Sequence, residues 1–338
     1  MSPQAPAEAA IVAVIGVGGT IAMVPTSDGG VSPQLTAADL VQAVPGLAEH
    51  GDRLRVVDFR RMPGAWLSFA DLDDLRTAVD QAIAGGAAGV VVTTGTDSIE
   101  EMAYYLDLRH TRPEPLVVTG AMRNPATAGA DGPANLLAAV ATATDPAARD
   151  RGVLVVLNDE IHLAARVQKS HTTSPAAFTS PNAGPAGRLV EGTPRWLTGP
   201  VTRRSVPAAY PGATARAVRV MLHTVTLDDD PVFLADAESR MDGLVVAGMG
   251  VGHVPAVLVE PLTKAAAAIP VVLASRIGRG PVLTSSYGFP GSERDLLGRG
   301  LIPAGFLDPL KARVLLRTLL AAGATGEQIR QEFADDVS

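Results

Sequence analysis

The chain has 338 residues, 47% of them hydrophobic, and this length exceeds the size at which a single hydrophobic core usually stops growing, so we expect two domains. The formal net charge is -7, with 28 Lys and Arg against 35 Asp and Glu, which speaks against a nucleic-acid partner. Because the chain contains no cysteine, it can form no disulfide, no Cys-ligated zinc site and no thiol nucleophile.

The N-terminal residues 1–10 lack the basic and apolar regions of a secretion signal. No apolar run approaches the ~20 residues that a helix needs to cross a bilayer. These two features predict a cytoplasmic protein with no membrane partner.

Short apolar runs rich in β-branched residues recur along the chain, with helical patterns between them. They lie at 11–15, 90–92, 116–118, 153–157, 218–222, 244–246 and 271–273. Such runs are typical of strands that are buried on both faces, and their alternation with helices predicts an α/β fold with mostly parallel strands.

Residues 193–216 are rich in Pro, Gly and Arg and show no sustained periodicity, which is typical of a connector between domains. We therefore predict an N-terminal domain over 1–195, a linker over 196–215 and a smaller C-terminal domain over 216–338. A second series of strands and helices fills the C-terminal domain, and its last predicted helix covers about 309–322.

The first candidate site is the glycine-rich loop at residues 15–22 (IGVGGTIA), which directly follows the first predicted strand. Its glycines allow backbone N–H groups to approach a ligand closely, and Thr20 supplies a hydroxyl beside them. A dinucleotide loop would need a third glycine where Ile21 stands, and the Gly-Lys-Ser/Thr of a phosphate-binding Walker loop does not follow. A tight turn without a ligand is the alternative.

The second candidate site is the segment 92–98 (VTTGTDS), in which a glycine, hydroxyls and a carboxylate follow a predicted strand. From Ser98 onward, capping-box spacing and apolar residues at helical intervals predict a helix that starts right after Thr96 and Asp97. Loops at the C-terminal ends of parallel strands build the ligand crevice of such sheets. Asp97 alone would also suit a helix cap, but the segment carries more hydroxyls than capping requires.

Two further polar segments follow along the chain. In the first, residues 118–123 (VTGAMR) precede Asp131 and Asn135; the Asp-Gly-Pro run predicts a turn, and Asn135 is suited to bond the backbone. The second, residues 166–173 (RVQKSHTT), contains Lys169. Most lysines are solvated surface charges, but a lysine held by a carboxylate in a desolvated pocket can act as a base toward a hydroxyl or water.

Taken in order, these motifs resemble the bacterial-type L-asparaginase/glutaminase family over nearly the whole chain. The resemblance is carried by residues 18–22 (GGTIA), 94–101 (TGTDSIEE), 120–123 (GAMR) with 131–132 (DG), and Lys169, and it extends through 152–159, 172–187, 247–252, 275–276 and 311–313. It implies a larger N-terminal α/β domain, whose mixed, mostly parallel sheet is flanked by helices, and a smaller flavodoxin-like C-terminal α/β domain.

The resemblance also implies an activity, hydrolysis of the side-chain amide of L-asparagine or a related amide to an acid and ammonia. Thr20 corresponds to the attacking hydroxyl, which is a poor nucleophile until another group activates it. Thr96, Asp97 and Lys169 resemble that group, with Lys169 oriented by Asp97 and sharing a proton with Thr96. The chemistry implies no metal and no organic cofactor.

In the implied site, the backbone of the Gly19 and Gly95 loops supplies donors for an oxyanion, and the segment around Ala121 lines the substrate. The small-molecule amide is then the only ligand. Sites in this family form between subunits, so we expect a homodimer or a homotetramer.

Two departures from the family pattern lie in the N-terminal half. The loop after Thr20 lacks the tyrosine that the family places beside the nucleophile, and Gly30 stands at the nearest equivalent position. Where the family carries a Ser-Gln or Ser-Ser pair for the substrate α-carboxylate, this chain has Arg60 and Arg61. Arginine can bind a carboxylate in a bidentate manner, although both side chains could also be surface residues on a different loop path.

Two positions in the C-terminal half correspond to substrate-binding positions of the family. His253 stands where the family often has an asparagine that reaches the substrate, and a capping or loop histidine is the alternative. Glu293 falls near the position from which a neighbouring subunit contributes a substrate-binding acid, and an exposed glutamate at a helix start is the alternative.

Three other functions compete with an ordinary asparaginase. An amino-acid sensor could keep the fold without turnover, which the missing tyrosine would allow. A glutaminase subunit of a tRNA amidotransferase would need an additional N-terminal domain, for which a glycine-rich loop at residue 16 leaves no room. A tailoring amidase or imide hydrolase would act on a larger substrate, and the altered segment 59–62 is its best support.

Overall fold

The computed structural model describes residues 10–26, 30–47, 53–211 and 217–334 and divides the chain into two compact units, Met1–Ser205 and Val206–Ser338. The division falls inside the predicted linker, of which residues 212–215 lie outside the described residues, as do residues 1–9 of the N-terminal segment. Trp196, the first residue of that linker, instead ends a strand. Each unit therefore has its own elements and core.

The described residues of the first unit form twelve strands. In chain order they are β1 (Val12–Gly18), β2 (Met23–Pro25), β3 (Val31–Pro33), β4 (Leu54–Met62), β5 (Gly89–Thr93), β6 (Leu116–Thr119), β7 (Val153–Leu157), β8 (Glu160–Leu163), β9 (Gln168–Lys169), β10 (Phe178–Thr179), β11 (Gly187–Val190) and β12 (Thr193–Trp196). Eight of them form one sheet in the order β12-β11-β8-β7-β6-β5-β1-β4, while β2 pairs with β3 and β9 with β10.

The central strands of the large sheet are parallel. Neighbours from β4 through β1, β5 and β6 to β7 run in the same direction, and β8, β11 and β12 continue the sheet with antiparallel pairing. Every residue of β1, β5, β6 and β7 is buried, as expected for β-branched strands covered on both faces. The predicted mixed, mostly parallel sheet is confirmed.

In the part of this unit that the structure describes, four helices cover the sheet: α1 (Ala37–Gln42), α2 (Phe69–Ala84), α3 (Ile99–Arg109) and α4 (Gly132–Thr144). Single 3-10 turns at Thr20–Ala22, Gly64–Trp66 and Thr96–Ser98 connect strand ends to the elements that follow. Because parallel strands end at the same edge of a sheet, the loops after β1, β4, β5 and β6 meet there. This edge carries the glycine-rich loop and the Thr96 loop.

The second unit is a smaller α/β domain with a four-stranded parallel sheet in the order β13-β14-β15-β16. Its strands are β13 (Val220–Thr224), β14 (Gly243–Gly248), β15 (Val271–Ser275) and β16 (Ile302–Pro303), and its helices are α5 (Ala237–Arg240), α6 (Val259–Ala266), α7 (Glu293–Gly298), α8 (Pro309–Ala321) and α9 (Gly326–Ala334). The smaller C-terminal α/β domain and its helix after Pro309 are both confirmed.

The predicted capping box at Ser98 is wrong. Although α3 begins where the spacing places it, the Ser98 side chain makes no cap hydrogen bond and donates instead to the Gly64 carbonyl oxygen at 2.9 Å. The 3-10 turn before the helix directs this hydroxyl away from the first helical turn. Strands β4, β8, β11 and β12 were not predicted, because they lie toward the two edges of the sheet and carry charged and polar residues that break the apolar pattern.

Candidate active site

The glycine-rich loop leaves β1 and turns at once into the 3-10 turn that begins with Thr20. Gly18 and Gly19 have φ angles of 116° and 84°, a region of backbone conformation that favours glycine. A side chain at Gly19 would collide with the backbone of Gly95. The two predicted loops are therefore in direct backbone contact, which requires glycine at position 19.

Two more loops join this junction. The Cβ of an alanine at Gly95 would lie 2.8 Å from the Gly64 nitrogen, and one at Gly120 would lie 2.6 Å from the Thr94 carbonyl oxygen and 3.3 Å from Thr96 Cγ2. The loops after β1, β4, β5 and β6 thus pack backbone against backbone. Thr96, at the centre of the junction, is buried.

Lys169 is brought to the Thr96 loop from a distant part of the chain. Its ammonium nitrogen donates to Thr96 Oγ1 at 3.0 Å and to Asp97 Oδ1 at 2.9 Å. The lysine side chain is 15% exposed, whereas the Asp97 side chain is 67% exposed. The structure therefore brings together three of the four predicted catalytic residues, with the lysine shielded and the carboxylate open to solvent.

Thr20 lies beside this group because its loop packs against the backbone of the Thr96 loop. Its loop touches the Thr96 loop at Gly19 and Gly95. Among the described residues, none hydrogen-bonds with the Thr20 hydroxyl. The predicted loop after Thr20 forms the short antiparallel pair β2 and β3, in which Gly30 accepts a bond from Thr26, and residues 27–29 lie outside the described part of the chain.

The segment around Ala121 is held by Asp131. The predicted turn at Asp131-Gly132-Pro133 is wrong, because Asp131 is the N-cap of α4 and Gly132 and Pro133 are already helical. Asp131 accepts hydrogen bonds from the backbone nitrogens of Met122 and Arg123, both at 2.9 Å. Asn135 donates to the Gly120 carbonyl oxygen at 3.0 Å, as its predicted backbone bonding requires. Ala121 is fully buried, so Asp131 and Asn135 act on the site by fixing the segment that contains it.

The two arginines of β4 have different surroundings. Arg60 forms ion pairs with Asp71 and Asp74 of α2, the latter at 2.6 Å. Arg61 is half exposed and lies 3.7 Å from Asp58. These contacts favour a structural role for Arg60, which joins β4 to α2, and they leave a substrate-binding role for Arg61 as a prediction.

His253 and Glu293 lie together in the second unit. Glu293, the first residue of α7, is 0% exposed, so the exposed-glutamate alternative is wrong. Its carboxylate accepts from the Ser286 and Tyr287 backbone nitrogens at 2.9 and 2.7 Å and lies 3.1 Å from His253 Nε2. Burial alone would raise the pKa of Glu293, but the backbone N–H groups and His253 hold it below its ordinary value.

His162 and Ser180 are polar residues near Lys169 that the sequence reading missed. His162 lies on β8 with its Nδ1 atom 3.0 Å from the Ser180 hydroxyl, and both residues are buried. Ser180 directly follows β10, the strand that pairs with the Lys169 strand. A single histidine in a short strand carries no sequence signal of such a contact.

Within the described residues, no helix has the length and apolar composition to span a membrane.

Comparisons with known proteins match both units. The family described as "Asparaginase, N-terminal" matches residues 11–202, and the one described as "Glutaminase/Asparaginase C-terminal domain" matches residues 219–333. A protein named "Probable L-asparaginase" from Deinococcus radiodurans is 38% identical over 98% of this chain and 99% of its own length. "L-asparaginase 2" of Escherichia coli is 33% identical over 87% of this chain and 83% of its own length.

A solved structure is similar throughout. The crystal structure of a probable cytoplasmic L-asparaginase from Campylobacter jejuni superposes with a TM-score of 0.84 at 30% sequence identity. The match covers 96% of this chain and 99% of the Campylobacter chain.

Proposed function

Since the chain belongs to the asparaginase family and is an asparaginase-type amidohydrolase, we propose that it hydrolyses the side-chain amide of L-asparagine, with Thr20 as the nucleophile. The observation that carries the proposal is the pair of bonds from Lys169 to Thr96 and Asp97, directly beside the backbone contact of Gly19 with Gly95. The names of the relatives support asparagine as the substrate.

In the first half of the reaction, Thr20 Oγ1 attacks the amide carbon. The threonine proton passes to the amide nitrogen, the C–N bond breaks, and ammonia leaves an acyl ester on Thr20. Negative charge develops on the amide oxygen as the tetrahedral intermediate forms. Backbone N–H groups of the Gly19 and Gly95 loops are suited to stabilise that charge, because the packed glycine junction holds them in place before the reaction.

In the second half, water attacks the ester carbon. Its oxygen becomes part of the product carboxylic acid, the ester C–O bond breaks, and a proton returns to Thr20 Oγ1. When Lys169 is the neutral amine, the attacking water gives its proton to Thr96 Oγ1 while Thr96 gives its hydroxyl proton to the Lys169 nitrogen, 3.0 Å away, and Lys169 becomes the ammonium. Asp97 balances the charge on Lys169 and, being open to solvent, is available to a substrate amino group.

The test is ammonia release by the purified protein from L-asparagine, D-asparagine, L-glutamine and a panel of N-acylated and cyclic-imide analogues. Thr20→Ala should abolish release, whereas Thr20→Ser keeps the hydroxyl and should retain measurable turnover. Lys169→Met should slow the second half, so intact mass spectrometry of that variant with substrate should detect the acyl ester on Thr20.

Near-wild-type turnover by Thr20→Ala would remove Thr20 from the mechanism. If the protein hydrolyses only the N-acylated or cyclic-imide analogues, its substrate is larger than free asparagine. If the protein releases ammonia from none of these compounds, the result would favour an amino-acid binding protein.

We propose further that the protein is a cytoplasmic homodimer or homotetramer. The Campylobacter protein is named a cytoplasmic enzyme, which supports the location. Sedimentation equilibrium tests the assembly, and cell fractionation tests the location.

A further inference from the structure

Lys169 lies on a ribbon that has little pairing of its own. Its strand β9 and the partner strand β10 each contain two residues, with Lys169 opposite Phe178 and Gln168 opposite Thr179. At the turn of the ribbon, Ser170 donates to the Ala177 carbonyl oxygen from its backbone nitrogen at 2.7 Å and from its hydroxyl at 2.9 Å. So short a ribbon needs anchoring from outside to hold a side chain in one place.

One anchor of the ribbon is a side-chain hydrogen bond to the large sheet, in addition to the buried side chains of Ala177 and Phe178. His162 on β8 is 0% exposed, and its Nδ1 atom lies 3.0 Å from the hydroxyl oxygen of Ser180. Ser180 is itself buried and is the next residue after β10. The bond therefore connects the end of the Lys169 ribbon to a strand of the eight-stranded sheet.

The other side of the imidazole faces an ion pair. His162 Nε2 lies 3.4 Å from Glu160 Oε2, while Glu160 Oε1 pairs with Arg188 of β11 at 2.6 Å. Burial, with a smaller contribution from Arg188, lowers the pKa of His162 to about 4. At neutral pH the imidazole is therefore uncharged and forms a fixed, neutral partner for the Ser180 hydroxyl.

We propose that His162 and Ser180 are positioning residues for Lys169, whose ammonium group they hold within bonding distance of Thr96 and Asp97 through the ribbon. Neither residue touches the proposed reacting groups. The catalytic part of this inference rests on the proposed function, since it assumes that Lys169 takes part in amide hydrolysis. Misplacement of a catalytic group by ~1 Å can lower a rate by about 100-fold, so a loose ribbon should have a measurable effect.

The first readout needs no activity. The lysines of the chain are Lys169, Lys264 and Lys311, of which Lys264 is 58% exposed and Lys311 is 0% exposed. Brief acetylation followed by peptide mass spectrometry gives the reactivity of Lys169 relative to Lys264 in the same sample. Ser180→Ala and His162→Leu remove the bond and should raise this ratio by about fivefold or more, because a released ammonium group loses its partners and its shielding.

Two further variants serve as controls. His162→Asn keeps a polar group at the position of Nδ1 and should leave the ratio within about twofold of the wild-type value. Ser174→Ala removes a hydroxyl from the same segment, which among the described residues accepts a bond from the Ala176 nitrogen alone, and should also leave the ratio unchanged.

The second readout is turnover. In an active protein, Ser180→Ala and His162→Leu should lower kcat by about tenfold or more, and Ser180→Ala should cause no further loss in the Lys169→Met background. An unchanged acetylation ratio in Ser180→Ala and His162→Leu would show that the bond between His162 and Ser180 does not hold Lys169 in place. A raised ratio with unchanged kcat, or an equal loss in both backgrounds, would overturn the positioning role. If the wild-type protein releases no ammonia, the proposed function fails, and the acetylation ratio still decides the anchor.

Discussion

His162 should make the stability of the protein fall as the solution becomes mildly acidic. The histidine is fully buried, and its pKa falls from 6.5 to about 4 because burial disfavours the charged form. Nearby Glu160 would favour the charged form, but its pairing with Arg188 at 2.6 Å offsets that attraction. The folded state therefore resists protonation of His162, whereas the unfolded chain accepts the proton readily.

The sign and the size of the change in unfolding free energy follow from the different proton affinities of His162 in the folded and unfolded states. Above the unfolded pKa of 6.5 the histidine is neutral in both states and has no effect, and as the pH falls toward about 4 only the unfolded chain gains a proton. At about pH 5 this difference lowers the free energy of unfolding by ~2 kcal/mol, and below about pH 4 the loss levels off near ~3 kcal/mol.

The assay is urea unfolding at one protein concentration over a pH series from about pH 7 to about pH 4, for the wild type and for His162→Asn. The quantity of interest is the difference between the two unfolding free energies, because groups that titrate alike in both proteins cancel. The wild type should lose ~2 kcal/mol relative to the variant between about pH 7 and about pH 5. A constant difference would refute the reasoning, since His162 would then titrate alike in both states.

Three further predictions concern the junction and its neighbours. Gly19→Ala should abolish activity, because its methyl group would collide with the Gly95 backbone and force the two loops apart; activity and the melting temperature test this, and full activity would contradict the close contact. Thr96→Val should abolish ammonia release while leaving a folded protein, since it removes the acceptor of the Lys169 bond, and substantial turnover by the folded variant would exclude Thr96 from the reaction. Arg60→Ala should lower the free energy of unfolding by ~1 kcal/mol through loss of its bonds to Asp71 and Asp74, with KM unchanged; a raised KM at unchanged stability would instead make it a substrate ligand, and Arg61→Ala is the matched comparison.

Much of the fold could be predicted from the sequence, because the signals that specify it are local. The β-branched runs became the buried parallel strands β1, β5, β6 and β7, and α3, which follows the Thr96 loop, begins where its apolar spacing places it. The strands toward the two edges of the sheet could not be predicted in this way. In β4, for example, charged residues alternate irregularly, and the pairing of that strand with β1 depends on backbone bonds that carry no side-chain signal.

In the candidate site, too, some residues could be identified from the sequence, whereas some of their contacts could not. Thr20, Thr96 and Asp97 could be identified as chemical groups from the strand, glycine and hydroxyl order of their own loops, and Lys169 from its resemblance to the family. The resemblance also implied that Lys169 meets Thr96 and Asp97, as the structure has it. Only the tertiary structure decided that Ser98 bonds Gly64 rather than capping its helix and that Glu293 is buried. The anchor formed by His162 and Ser180 belongs to this second group. These contacts join residues far apart in the chain, and whether a polar side chain meets a helix end, a carboxylate or solvent depends on which backbone the fold brings beside it.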